Sequence, residues 1–215
     1  MSAEYVYRME DVLDLYAAEP EPSRPIVCFD ERPVQLVGET RAPIPAAPGR
    51  PARVDYEYRR AGTANLFVFF APHLGWRHVW PTEQRTKADF ARCMQALVDT
   101  YFPYARTIRV VLDNLNTHTL AALYEVYPPA EARRIAKRIE LHYTPKHGSW
   151  LNMAEAEIGI LSRQCLGRRI DSLAALRTQT TAWEEPRNDA RATVHWRFTA
   201  KDARKKLGHL YPTYS

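Results

Sequence analysis

The chain has 215 residues, 46% of them hydrophobic, with a formal net charge of +5 and a pI near 9.1. These values predict one sizeable domain with a hydrophobic core and exclude a generically disordered chain. No run of apolar residues is long enough to span a membrane, and the acidic N-terminus does not resemble a secretory signal. Cys28, Cys93 and Cys165 are far apart and odd in number, which predicts a reducing, cytoplasmic location and argues against a zinc site.

Basic residues are concentrated in three groups in the C-terminal half of the chain. Each group taken alone is explained equally well as a solvated helix face or as a contact for phosphate. Three groups on one basic chain favour a polyanionic partner such as DNA. The groups are Arg133, Arg134, Lys137 and Arg138; Arg163, Arg168 and Arg169; and Arg197, Lys201, Arg204, Lys205 and Lys206.

The first half of the chain predicts a helix followed by strands. Residues 1–24 combine an apolar helical pattern with a linker of sequence AAEPEPSRP. PIVCFDE predicts a buried central strand, a second short strand VQLVGE follows Pro33, and the proline-rich RAPIPAAPGRP predicts an extended loop. Val54, Tyr56 and Tyr58 alternate with charged residues before ANLFVFF and WRHVW, a pattern typical of an antiparallel meander.

The second half alternates helices and strands. Residues 87–102 place Phe90, Met94, Leu97 and Tyr101 on one helical face behind the N-cap Thr86. IRVVLDN and IELHYTP predict strands, and the segments between and after them predict helices, ending in a short basic helix near the C-terminus. This order predicts an α/β fold in which helices cover a mixed sheet.

Two of the predicted buried strands end in a carboxylate. Asp30 ends PIVCFD and Asp113 ends IRVVLD. A single such aspartate is explained by capping of the loop that follows it. A pair of them at the ends of neighbouring strands could share a cation, because open α/β sheets place ligands at the carboxyl ends of their strands.

A third acidic residue stands at the start of the helix predicted over 151–166. Asn152 and Glu155 have the spacing of a capping box, so on local sequence Glu155 is equally well explained as a helix cap or as a site residue. Glu157 is the alternative, but residues i and i+2 point to different sides of a helix. Ile158 and Leu161 mark the buried face, and Glu155 would lie at its edge.

The three segments CFDE, VVLDNLNTH and HYTPKHGSWLNMAE, in this order, resemble the signatures of DDE transposases from bacterial insertion sequences of the mariner-like superfamily. The resemblance covers roughly residues 25 to 210. It implies an RNase H-like fold, shared with retroviral integrases, with a mixed five-stranded sheet flanked by helices on both faces. It implies that Asp30, Asp113 and Glu155 form the acidic triad. It selects Glu155 over Glu157 because the family's glutamate lies three residues after the asparagine. The expected parts are an N-terminal helix and linker (1–24), the catalytic domain (25–190) and a basic extension (191–215).

The resemblance also implies a reaction, namely metal-dependent transfer of phosphodiesters in DNA. Carboxylates suit two Mg²⁺ or Mn²⁺ ions, with Asp30 bridging both and Asp113 and Glu155 each holding one. Water would cut the DNA at an element end and release a 3′-hydroxyl, which would then attack target DNA.

Further candidates for DNA contact have lower rank. They are Asn114, His118, Lys146, His147, Arg163, Arg168 and Arg169, to which Asn116 is added as a residue that could order water or phosphate. The loop after Asp113 is explained about as well by Asx-type turns. Trp150 is expected to be a hydrophobic staple rather than a platform for a flipped base, and His142 is expected to be structural.

Two features depart from the family pattern. The segment between Asp113 and Glu155 is longer than is common, with PAEARRIAKRI as an added surface helix. About 25 residues precede the first strand, too few for a helix-turn-helix module, so the chain is expected to be a catalytic half that works with a separate DNA-recognition chain, and as a homodimer on DNA. The alternatives are another RNase H-like nuclease and an inert remnant that binds DNA or a partner.

Overall fold

The computed structural model describes residues 3–53 and 55–212, and its centre is a five-stranded sheet. In the sheet order β3-β2-β1-β4-β5, β1 and β2 pair antiparallel, as do β2 and β3, whereas β4 is parallel to both β1 and β5. The predicted mixed sheet is therefore confirmed. The strands are β1 Ile26–Glu39, β2 Tyr58–Ala71, β3 Trp76–Thr82, β4 Ile108–Leu112 and β5 Ile139–Tyr143.

Seven α-helices are present in the described part of the chain. Local signals begin several of them: Thr86 and Asp89 form a reciprocal capping box at the second helix, and Ser172 caps the sixth. The helices are α1 Ala3–Ala17, α2 Lys87–Ala96, α3 Ala121–Val126, α4 Pro129–Ala136, α5 Met153–Gln164, α6 Leu173–Asp189 and α7 Ala200–Lys206. Short helical turns of other kinds cover Leu97–Tyr101, Ser149–Leu151 and Gly208–Leu210.

Helices cover both faces of the sheet. Successive residues of a strand point to opposite faces, so each face carries apolar side chains that a helix buries. In β1, Val27 and Phe29 pack into the cluster that includes the buried faces of α2, α3 and α4. Cys28 of the same strand packs on the other side with α1, α5 and α7. Further along that side, α5 and α6 cover Leu66 and Val68 of β2. The side that carries α1, α5 and α6 is the side on which the candidate site is built.

The two terminal segments share the core of the sheet. Met9 and Leu13 of α1 are fully buried in the same cluster as Cys28 and as Ala203 of α7. Arg204 of α7 forms an ion pair with Glu10 of α1 at 2.7 Å. The division of the chain at 24 and 190 stays a prediction, and both outer segments pack onto the central one. None of the helices that the structure describes is long and apolar enough to cross a membrane.

Three details of the predicted elements are wrong. β1 continues through Pro33 as one strand, because beyond Cys28 it has only β2 as a neighbour and an edge strand tolerates proline. Asp30 consequently lies within a strand and not at its end. The helix predicted over 87–102 changes to a π-helical turn after Ala96. Tyr56 lies outside the strands, and Val54 lies outside the described residues.

Candidate active site

The register of the parallel strands brings the first two acids to one edge of the sheet. Ile26, Val27 and Cys28 of β1 pair with Arg109, Val110 and Val111 of β4, and the pairing ends there. Asp30 and Asp113 each lie two residues beyond the last pair, Cys28 and Val111. The paired part of β1 and β4 therefore ends just before both aspartates.

The start of α5 is joined to β1 beside Asp30. The buried Asn152 donates from Nδ2 to the carbonyl of Phe29 at 2.9 Å and contacts Oδ2 of Asp30 at 3.4 Å. Its Oδ1 accepts from the backbone N–H of Ala154 at 3.1 Å, so one side chain caps the helix and holds it to the strand. The preceding turn requires Gly148, where a Cβ would lie 2.5 Å from Pro145 Cγ.

Glu155 and Glu157 occupy different environments on α5. Glu155 is exposed in the first turn, at the helix end that Asn152 holds against Asp30. No reciprocal capping box forms there, because the Asn152 side chain accepts from Ala154 and not from Glu155. Glu157 is 2% exposed and forms ion pairs with Arg77 at 3.3 Å and Arg187 at 3.2 Å. Glu157 therefore neutralises Arg77 and Arg187, whereas Glu155 forms no ion pair among the described residues and stays available at the start of α5.

The ionisation of Asp30 is affected by burial and by the two other carboxylates. Burial raises the pKa of Asp30 to about 7, and the charges of Asp113 and Glu155 add to the rise. The N–H of Glu31 donates to Asp30 at 2.7 Å and opposes this shift, as does the charge of His118. Repulsion between acids that approach one another is typical of a site that holds a cation.

A buried histidine links the second acid to the residue after the first. His118 packs against the rings of Phe29 and Phe90, with Nδ1 2.6 Å from Oδ1 of Asp113 and Nε2 3.5 Å from Oε2 of Glu31. Burial alone would lower the pKa of His118, but the two carboxylates outweigh burial and raise it to about 9. The imidazolium therefore holds Asp113 in one orientation.

A sequence model of the DDE superfamily endonucleases matches residues 25–177, the segment that carries Asp30, Asp113 and Glu155. The chain belongs to the DDE superfamily of endonucleases. The family predicted from the three motifs is thereby confirmed. Curated protein sequences gave no match.

Solved structures of the Mos1 mariner transposase share the fold of this DDE endonuclease. The Mos1 strand transfer complex matches with a TM-score of 0.59 and 16% identity, over 89% of this chain and 57% of that one. The Mos1 mariner paired end complex with Mn gives 0.57 and 18%, over 89% and 58%. A pre-cleavage Mos1 transpososome gives 0.56 and 17%, over 98% and 64%. The DDE endonuclease thus spans less than two thirds of the Mos1 chains, and its RNase H-like fold is confirmed.

The donor set of the DDE endonuclease fits a hard divalent cation in its chemistry. Asp30, Asp113 and Glu155 offer only carboxylate oxygens, which are the ligands that Mg²⁺ and Mn²⁺ prefer. Their negative charges repel one another, and a bound cation would neutralise them. In the described part of the chain no three His, Cys, Asp or Glu side chains already form a closed cluster that could hold a metal ion. The carboxylates would have to move together when a cation binds.

Some of the residues predicted to contact DNA lie together beside Asp113. Asn114, Lys146 and His147 line a cavity of about 360 Å³, together with Arg8 of α1. All three predicted residues are exposed, and His147 has a φ of 64°, a left-handed conformation that turns the chain sharply before α5. Asn116 is also exposed, in the loop between Asp113 and His118.

The other predicted contacts are dispersed. His118 is 1% exposed and is bound to carboxylates, so its surroundings do not favour contact with phosphate. Arg163 and Arg168 are exposed on and after α5. Arg169 forms an ion pair with Glu39 and donates to the carbonyls of two residues in the loop after β1. Its charge is thus used within the fold.

Two aromatic or imidazole side chains have surroundings that bear on their predicted roles. His142 lies between Asp11 at 2.9 Å and Glu140 at 3.1 Å, in agreement with a structural role. Trp150 is 41% exposed and stacks loosely on Trp196 of the C-terminal segment, and its role as a hydrophobic staple before α5 stays a prediction.

Some of the basic side chains are already paired with acids or with backbone carbonyls within the fold. Arg134 pairs with Asp99 at 2.8 Å and with Glu131 at 2.6 Å. Arg138 donates to carbonyls in and after the π-helical turn, among them Phe102 at 3.0 Å and Ala105 at 2.6 Å. The net charge of the sequence therefore overstates the number of basic side chains that are free to contact phosphate.

Sequence patterns missed the roles of two residues at the site. Asn152 was identified only as a helix cap, although it also holds α5 against Asp30. Glu31, with a side chain only 7% exposed, contacts His118 and accepts from Arg85 at 2.8 Å. The available signal was the second acid of the CFDE motif, because a buried strand rarely carries two carboxylates in succession without partners.

Proposed function

We propose that this DDE endonuclease is the catalytic domain of a DNA transposase, in which Asp30, Asp113 and Glu155 hold two divalent cations. The observation that carries the proposal is that Asp30 and Asp113 each lie two residues beyond the last pair of β1 and β4, while Asn152 holds the start of α5, which carries Glu155, against Asp30. The Mos1 complex that contains Mn supports a divalent cation for a protein with the same fold.

The residues of the chain have distinct roles in this proposal. Asp30, Asp113 and Glu155 would hold the cations through their carboxylate oxygens. His118 fixes the orientation of Asp113, and Asn152 fixes the position of the helix that carries Glu155. Bound Mg²⁺ or Mn²⁺ would supply charge neutralisation at the phosphate and promote deprotonation of the attacking hydroxyl group.

The proposed reaction has two steps in the same site. In the first, a water oxygen bonds to the phosphorus at an element end, the bond from phosphorus to the 3′-oxygen breaks, and that oxygen leaves as a hydroxyl after gaining a proton. In the second, this 3′-hydroxyl bonds to a phosphorus of target DNA and displaces another 3′-oxygen. A Mos1 structure described as a strand transfer complex supports the second step.

The proposed partners are the DNA of the element ends and of the target. The paired-end complexes of Mos1 support a dimer on DNA, and a separate helix-turn-helix chain would supply end recognition. The exposed Lys146, Arg163 and Arg168 would contact phosphate. We place the protein with the nucleoid in the cytoplasm.

Nicking of a supercoiled plasmid tests the proposal. We expect cleavage or strand transfer that requires Mg²⁺ or Mn²⁺ and is abolished by Asp113→Ala. Glu185→Ala, which removes an exposed carboxylate of α6, is the matched control and should retain full activity. Cleavage that survives Asp113→Ala would refute the assignment, as would inactivity when an end-recognition module is supplied. Cleavage without joined products would instead favour a hydrolytic nuclease.

A further inference from the structure

Two tyrosine hydroxyl groups bind backbone carbonyls in the segments next to Asp113 and Glu155. The first belongs to Tyr143, the last residue of β5, which pairs with Leu112 of β4, the residue before Asp113. Its hydroxyl donates to the carbonyl of His118 at 2.8 Å. This bond joins the far end of the loop that follows Asp113 to the strand beside its start, so it closes the loop.

The carbonyl that Tyr143 binds belongs to the residue that orients Asp113. His118 is therefore held at two places, at its carbonyl by Tyr143 and at its imidazole by Asp113 and Glu31. Residues 114–116 of the loop are exposed, so packing does little to fix the path of the chain there. The position of the imidazole consequently depends on the bond that holds the backbone beneath it.

The second hydroxyl belongs to Tyr16 of α1 and bridges the turn before α5 to β1. It donates to the carbonyl of Leu151 at 2.8 Å and contacts Sγ of Cys28 at 3.2 Å. A hydroxyl has one proton to donate, so the Cys28 thiol is the donor in the second contact. Tyr16 is 4% exposed and both of its partners are fully buried, so solvent does not reach the bridge.

The bridge through Tyr16 runs beside the connection that Asn152 makes. Asn152 follows Leu151 in the turn and donates to the carbonyl of Phe29, which follows Cys28 in β1. Two adjacent residues of the turn are thus joined to two adjacent residues of the strand, and one of the two connections passes through α1. Two points of attachment fix the direction in which α5 leaves the sheet, whereas one point leaves it free to pivot.

We propose that Tyr143 and Tyr16 are positioning residues of the acidic site, and that α1 is therefore a functional part of the catalytic unit. This inference rests on the proposed function, because the positioned groups are the carboxylates that hold the cations. Tyr143 acts through His118 on Asp113. Tyr16 acts through the turn before α5 on Glu155.

Removal of one hydroxyl group at a time from the full chain tests these roles. Hydrogen–deuterium exchange should become faster over residues 114–118 in Tyr143→Phe and over residues 149–152 in Tyr16→Phe. Mn²⁺ binding, followed by the electron paramagnetic resonance signal of free Mn²⁺, should weaken about 10-fold in each variant, the lower end of the range typical for partners of metal ligands.

Tyr127→Phe is the matched control for Tyr143→Phe. It also removes a half-buried hydroxyl, one that donates to Oε1 of Gln95 at 2.8 Å and joins the end of α3 to α2. Its Tm should fall as much as that of Tyr143→Phe, while its Mn²⁺ affinity and the exchange of both segments should match the wild type. If Tyr16→Phe does not fold, Cys28→Ala, which removes only the anchor of the bridge on β1, replaces it.

A double variant separates positioning from a general loss of stability. Because Tyr143 acts through the imidazole, Tyr143→Phe should cost little further Mn²⁺ affinity in a His118→Asn background, where the carbonyl that it holds no longer carries an imidazole. A purely structural role would instead add its full effect in both backgrounds.

Failure of these roles differs from failure of the proposed function. Unchanged exchange or unchanged Mn²⁺ affinity in the variants, in a protein whose wild type binds Mn²⁺ and nicks DNA, would overturn the positioning roles and leave the proposed function intact. A wild type that binds no Mn²⁺ would overturn the proposed function, and faster exchange in the variants would then show only that the hydroxyl groups stabilise the two segments.

Discussion

Nδ1 of His118 lies 2.6 Å from Oδ1 of Asp113, and the histidine that makes this contact is 1% exposed. Its other ring nitrogen is 3.5 Å from Glu31, the neighbour of Asp30 in β1. One imidazolium thus connects the loop after β4 to β1 at the point where the two strands separate. Asp113 is only half-buried, and without this contact its carboxylate would be free to rotate into solvent.

His118→Asn should lower DNA cleavage because Asp113 loses the group that orients it. Loss of a partner of a metal ligand typically reduces metal affinity or activity about 10- to 100-fold. Titration with Mn²⁺ during plasmid nicking would show a higher Mn²⁺ requirement for the variant. His209→Asn, at an exposed histidine, is the control. Full activity of His118→Asn at limiting Mn²⁺ would contradict the positioning role.

Asp30→Asn should stabilise the metal-free protein while abolishing cleavage. The folded state raises the pKa of Asp30 from 3.8 to about 7, so it retains a proton that the unfolded chain releases. The contribution of Asp30 to stability is therefore lost progressively as the pH rises from about 4 to about 7.

Thermal unfolding in a chelator measures this effect. The Tm of Asp30→Asn should exceed that of the wild type by about 4 °C at pH 8, corresponding to about 1–2 kcal/mol, and the difference should shrink toward pH 5. Asp14→Asn, at an exposed aspartate of α1, should give no such trend. A Tm difference that is independent of pH would count against a raised pKa.

Glu155→Gln and Glu157→Gln should have opposite phenotypes. Glu155 is exposed and forms no ion pair among the described residues, so its variant should keep its Tm and lose cleavage. Glu157→Gln leaves Arg77, which is 0% exposed, without its carboxylate, a change that costs about 3–5 kcal/mol. Circular dichroism melts and the nicking assay together separate the two. Loss of activity at unchanged Tm for Glu157→Gln would reverse the assignment.

Substitution of the adjacent arginines Arg168 and Arg169 should affect DNA binding differently. Arg168 is exposed and has no ion pair in the part of the chain that the structure describes, so Arg168→Gln should weaken DNA binding and reduce the slope of log affinity against log salt by about 1. Arg169→Gln should leave that slope unchanged but expose the loop after β1 to proteolysis, because Arg169 holds it through Glu39 and Glu57. Equal salt slopes in both variants would show that neither contacts DNA.

The sequence by itself determined the elements and two of the three acids. Strand periodicity, the N-caps Thr86 and Asn152, and the turn at Gly148 are local features, so the chain order of strands and helices followed from them. Asp30 and Asp113 could be selected because a charge in an apolar strand is costly wherever the strand is placed. Local patterns did not show that β1 continues past Pro33, since this depends on which neighbours the strand has.

The tertiary structure gave the physical reason that distinguishes residues which local sequence leaves alike. Glu155 and Glu157 differ because Arg77 and Arg187, which are distant in sequence, neutralise Glu157 and not Glu155. Arg168 and Arg169 differ in the same way, because Glu39 pairs with Arg169 and not with Arg168. Charge is a property of the residue, but its availability depends on partners that the strand register and helix packing bring together. The function of an acid or a base in this fold is therefore decided by long-range contacts, which no local pattern encodes.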